Sequence, residues 1–108
     1  MAQKTILKPS TIRLVKAYGQ DIARRGIKWD QFIVFGSQTK GTQHKWSDID
    51  VCVVSATFSD NRFDNQRLLM HNRSNDFLDI EPHPFRPEEL QEKWDPLAAE
   101  IRRFGIKI

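Results

Sequence analysis

Within Phe35-Gly36-Ser37-Gln38-Thr39-Lys40-Gly41 and the Ser47-Asp48-Ile49-Asp50 that follows, Gly36, Ser37, Asp48 and Asp50 have the types and spacing to handle a chain of phosphates. Side chains alternate along a strand, so Asp48 and Asp50 fall on one face, where they can share a hard divalent cation or bracket two. Without a partner the two carboxylates repel by about 1–4 kcal/mol at contact range, depending on the local dielectric. That arrangement asks for a positive charge, either a metal or the ammonium of Lys40 or Lys45. Gly36 allows backbone to approach a bulky anion, and Ser37 opens a short helix whose unpaired amides and positive end favour phosphate. Taken singly, Gly-Ser after a strand is an ordinary turn and Asp-x-Asp a solvated strand cap; the combination points to chemistry.

These residues must be positioned by their neighbours. Ile12, Val15, Tyr18 and Ile22 recur at helical spacing, predicting an amphipathic helix over residues 10–25 with Gly26 as its cap. Phe32-Ile33-Val34-Phe35 reads as a strand buried on both faces that stops at Gly36. Residues 37–47 form a short helical turn and a polar loop. Ile49 to Val54 is a second strand, with Ile49, Val51 and Val53 on one face and Asp48, Asp50 and Cys52 on the other. A helix over residues 61–72 is expected to be capped by Ser59 or Asp60 and to pack Phe63, Leu69 and Met70. Phe77 to Glu81 reads as a third strand, closed by Pro82 and Pro84 because proline cannot donate to a ladder. Asp95-Pro96 starts a last helix, with Leu97, Ala98 and Ile101 as its apolar stripe and Gly105 as its end.

A chain of 108 residues suits one domain spanning 1–108. With 39% hydrophobic and 29% charged residues its composition is that of an ordinary globular protein. No apolar run reaches bilayer length, and the amino terminus has no signal-peptide core, so no membrane is expected and the cytoplasm is the expected location. The single cysteine, Cys52, reads as a buried strand thiol without a catalytic role. A net charge of +3 and a pI near 9.2 suit contact with phosphate, but the basic residues are scattered without a stripe, which argues against a nucleic-acid partner. His44 and His71 read as surface residues, His83 as a packing residue at a strand end, and Trp29 and Trp94 as packing. Trp46, beside Ser47-Asp48, is the tryptophan placed to stack on a base.

Gly36-Ser37, Gly41 and Ser47-Asp48-Ile49-Asp50-Val51 together resemble the signature of the DNA polymerase β-like nucleotidyltransferase superfamily, specifically its minimal nucleotidyltransferases. The resemblance is dense from Phe32 to Val54 and looser toward the carboxyl terminus. It implies an α/β (α+β) fold, a small mixed sheet flanked by helices. It also implies a nucleotide-binding set of Gly36, Ser37, Lys40 and Ser47, with magnesium, one or two ions, on Asp48 and Asp50. Family members use a third carboxylate from a later strand. Asp79, flanked by apolar residues, and Glu81, within Ile80-Glu81-Pro82-His83, both qualify, and the reading leans to Glu81 as third metal ligand or general base.

The activity implied is magnesium-dependent transfer of a nucleoside monophosphate, AMP from ATP, to an acceptor hydroxyl. The small size favours a protein acceptor: a small helical toxin of the higher eukaryotes and prokaryotes nucleotide-binding (HEPN) type, for which the chain would be the antitoxin. The alternatives are a small-molecule acceptor, as for aminoglycoside nucleotidyltransferases, and an inactive partner-binding module of the same fold.

Overall fold

A computed structural model describes residues 7–40 and 48–108. Its first helix, α1 (Pro9–Arg24), buries Thr11, Val15, Tyr18, Gly19 and Ile22, the stripe that its apolar spacing demands. Proline opens it at the first helical position, where a missing N–H costs nothing. At its far end Gly26, at φ 90°, donates to the Ala23 carbonyl while Ile27 donates to that of Ile22. That pair of bonds closes the helix and folds buried Ile27 back onto the core.

Four strands form one sheet in the order β3 (Ile80–Phe85), β2 (Ile49–Val54), β1 (Gln31–Phe35), β4 (Ile106–Lys107). β1 runs antiparallel to β2, with Phe35 opposite Asp50. β2 runs parallel to β3, with Asp50 opposite Glu81. One face of the sheet packs Phe32, Val34, Val51, Val53 and Ile80 against Val15, Tyr18 and Ile22 of α1. The other face packs Ile33, Phe35, Cys52, Val54 and Phe85 against Leu90 and against Ala98 and Ile101 of the last helix, α4 (Pro96–Phe104). The mixed sheet with helices on both faces is the expected α+β architecture. Every residue of β2 is buried except Asp50, which is half-buried. Cys52 is fully buried, and burial pushes its thiol up to about 12 against a smaller opposing pull from Arg62.

The structure corrects five expectations. β3 does not stop at Glu81 but runs through both prolines. The carbonyls of Asp79 and Phe85 accept from Ile49 and Ser55, so odd-numbered residues turn their backbone groups toward β2. Pro82 and Pro84 therefore fall on the outer edge, where no N–H is needed. Nor does β3 start at Phe77, which ends a 3₁₀ turn over residues 75–77, although Phe77 is buried as core.

Helix α3 (Arg62–His71) is capped by Asn61, whose side chain accepts from the Asp64 amide, and not by Ser59 or Asp60; Ser59 pairs instead with buried Asn65. Of the three side chains expected to pack, Leu69 is buried, whereas Phe63 is 82% and Met70 40% exposed. The helix faces β3 through Gln66 and Leu69; Gln66 donates to the outer-edge carbonyl of Pro82 at 2.9 Å, and Arg73, two residues beyond the helix, donates to that of Ile80 at 3.0 Å. Lastly, Gly105 leads into a short strand not expected from the sequence, β4 (Ile106–Lys107), which covers the open edge of β1.

Candidate active site

The site forms where β1 ends, β2 begins and β3 begins. The chain leaves Phe35 through Gly36 at φ 76°, a left-handed conformation that other residues rarely adopt. A second constraint acts there, because a Cβ on Gly36 would stand 2.4 Å from Asp50 Oδ2. Glycine thus makes the turn and leaves room for the carboxylate. The short helix α2 (Ser37–Lys40) follows at once, and both the amide and the hydroxyl of Thr39 donate to the Gly36 carbonyl, at 3.1 and 3.0 Å.

Strand register brings the rest together. Asp50 lies across from Glu81 on β3, and His83, two residues on, occupies the same face. His83 Nε2 lies 3.1 Å from Asp50 Oδ1, and the imidazole meets the ring of Phe35 edge-on at 5.1 Å between centroids. Among the described residues, Asp50, Glu81 and His83 form a group whose candidate ligand atoms all lie within 4.8 Å of one another. Two carboxylates at that range carry the mutual repulsion expected of an acidic pair, and they offer the hard oxygens that magnesium prefers. The imidazole is a softer donor, of the kind that suits zinc, copper, iron and nickel. The donor set therefore fits a divalent cation.

The other expected site residues are placed less centrally. Asp48 is exposed immediately ahead of β2 and is not one of the three. Asp79 is exposed ahead of β3, and its carbonyl, not its carboxylate, engages β2 through the Ile49 amide at 2.8 Å. Of the two candidates for a third carboxylate, Glu81 is the one brought beside Asp50. Ser37 is half-buried at the start of α2, and Lys40 is the last residue of that helix. Ser47 lies outside the described residues, as do Gly41, His44, Lys45 and Trp46.

His83 is the site residue that the sequence reading assigned to packing. The signal that could have found it is the Glu81-x-His83 alternation, obscured because the flanking prolines read as the end of the strand. Trp29 does pack as expected, stacking on Phe32 at 4.4 Å and donating its indole N–H to the Gly19 carbonyl at 2.8 Å. Trp94, at 87% exposure, does not.

A mixed sheet that brings a Gly-Ser turn, Asp50 and, in register on the next strand, Glu81 to one end is an arrangement suited to nucleotidyl transfer. The sequence profile of the nucleotidyltransferase domain matches residues 21–95, a span holding every residue of the site, and the chain belongs to that family. Two solved structures share its fold. One, from Sulfolobus solfataricus and described as a candidate nucleotidyltransferase, superposes with a TM-score of 0.65 at 17% identity over 89% of this chain and 77% of its own. The other, described as a toxin–antitoxin with AMP-PNP, superposes with a TM-score of 0.51 at 24% identity over 88% of this chain and 69% of its own. No curated protein sequence matches the chain. Among the described residues no helix is long and apolar enough to cross a membrane.

Proposed function

We propose that the chain, acting as one domain, transfers AMP from ATP to a hydroxyl of a partner protein, as the antitoxin of a toxin–antitoxin pair. The observation that carries the transfer chemistry is the seating of Asp50 between Gly36 and Glu81. Likeness in fold to a toxin–antitoxin with AMP-PNP supports the choice of adenine nucleotide and of a protein partner. A small helical toxin of the HEPN type is the partner the sequence resemblance implies.

In this reading Gly36 and Ser37 receive the triphosphate, the Ser37 hydroxyl donating to a phosphate oxygen, with Lys40 and Ser47 as flanking contacts. Asp48, Asp50 and Glu81 would hold magnesium, which when bound offsets phosphate charge and polarises the α-phosphorus. Where it is not a ligand of the metal, Glu81, exposed beside Asp50, accepts the proton of the acceptor hydroxyl once that group lies within hydrogen-bond reach. The acceptor oxygen then forms its bond to the α-phosphorus as the bond to pyrophosphate breaks.

The test is incubation with labelled ATP, magnesium and the candidate partner. Wild type is expected to add one nucleoside monophosphate to the partner, read as a mass shift, and Asp50→Ala and Glu81→Ala to lose at least 100-fold in rate, on the order of the loss when a general base or a charge-stabilising group is removed. A wild-type protein that binds the partner and ATP without transfer would overturn the proposal.

A further inference from the structure

We infer that His83 is a positioning residue for nucleotidyl transfer: its Nε2–H donates to Asp50 Oδ1 and fixes the rotamer in which that carboxylate faces the cation site. The inference rests on the function proposed above and adds a residue to its site. Its basis is a clamp visible on both oxygens of one carboxylate. Oδ1 lies 3.1 Å from His83 Nε2, and Oδ2 occupies the space that a Cβ on Gly36 would fill.

The histidine is itself held. Pro82 and Pro84 fix the backbone φ on either side of it, and pairing with Cys52 on β2 sets its register. The edge of Phe35 braces the ring, and the side chain is half-buried. A donor fixed in this way removes the rotational freedom that a strand-borne aspartate otherwise has. A carboxylate oxygen of Asp50 so held lies within 4.8 Å of one of Glu81, near enough for a single cation to meet both. Hydrogen bonding of ligating carboxylates by such outer partners commonly changes metal affinity 10- to 100-fold. Glu81 and His83 also divide their work: both lie within 4.8 Å of Asp50, but only His83 carries an N–H with which to orient it.

The experiment titrates Mn²⁺, by its electron paramagnetic resonance signal, into wild type, His83→Gln, His83→Ala and His83→Phe without nucleotide, and follows transfer of AMP from ATP to the candidate partner in parallel. Glutamine can place an N–H near the position of Nε2; alanine and phenylalanine cannot. His83→Ala and His83→Phe are expected to bind Mn²⁺ 10- to 100-fold more weakly than wild type, and His83→Gln within about threefold of it, in keeping with the size of such outer-partner effects. Thermal melts of all four proteins identify any variant that has merely unfolded. Equal affinity in all four would overturn the inference. So would failure of glutamine to rescue a folded protein, or a Mn²⁺ signal with directly coordinated nitrogen in wild type, which would make His83 a ligand. If Mn²⁺ affinity follows the expected order while no protein, wild type included, transfers AMP to the partner, the positioning role stands and the function proposed above fails.

Discussion

Replacing Gly36 by alanine tests the architecture of the site through stability alone. Two costs are expected. The first is conformational: a residue with a Cβ held at φ 76° carries about 1–2 kcal/mol of strain. The second is steric, because the new methyl stands 2.4 Å from Asp50 Oδ2, well inside contact distance. Relief requires the carboxylate to swing away from His83, giving up a hydrogen bond to a charged group worth about 1.5–3 kcal/mol.

The sum is about 2.5–5 kcal/mol in the wild-type background. In an Asp50→Ala background the nearest remaining Asp50 atom, Cβ, would be 3.5 Å away, an ordinary contact, so only the conformational cost survives. Urea unfolding of the four proteins of this cycle should therefore give a coupling energy of about 1.5–3 kcal/mol, within the range found for residues in contact. The melting point of the single Gly36→Ala variant should fall by on the order of 10 °C or more, since 1 kcal/mol moves a domain of this size about 4–8 °C. Equal costs in both backgrounds would refute the seating of Asp50 against Gly36. No cost in either would refute the left-handed turn.

Three further outcomes follow from the packing and the displaced titrations. Gly19→Ala should lose about 1–2 kcal/mol in urea, although alanine favours helix, because its methyl would stand 2.6 Å from Phe32 Cε2 and 2.9 Å from Trp29 Cζ2; the change in tryptophan emission reports the same displacement. Cys52, its thiol raised to about 12 by burial, should resist alkylation at pH 8 until urea unfolds the protein. Because its folded pKa is raised, its contribution to stability is complete below about 8.5, the ordinary thiol value, and is lost as the pH rises from there toward 12. Cys52→Ala should flatten that alkaline slope. Asp95→Ala should cost about 1 kcal/mol, because Asp95 caps α4 by accepting from the amides of Leu97 and Ala98. Burial raises the Asp95 carboxyl, but the Ala98 amide, the Arg62 guanidinium and the Leu97 amide together bring it below the usual carboxylate value. Its stabilisation is present at neutral pH and is lost as the pH falls through the lowered value, so Asp95→Asn should flatten the acid limb of stability against pH.

Local chemistry made much of this protein legible in the sequence. The stripe Val15, Tyr18 and Ile22, the apolar run ending at Gly36, the strand bearing Asp50 and the Asp95-Pro96 start of α4 each depend on neighbours a few residues away, through periodicity, capping or a left-handed turn. The acidic pair and the Gly-Ser turn are legible for the same reason. Tertiary structure decided what depends on distant partners. Pro82 and Pro84 are tolerated inside β3 because pairing with β2 puts them on an outer edge, a fact about another strand and not about the prolines. That same pairing brings Glu81, toward which the sequence already leans, beside Asp50, leaves Asp79 exposed ahead of the strand, and makes His83 the partner of Asp50 and not a packing residue, because register across a sheet is fixed by the whole core and not by the segment that carries it.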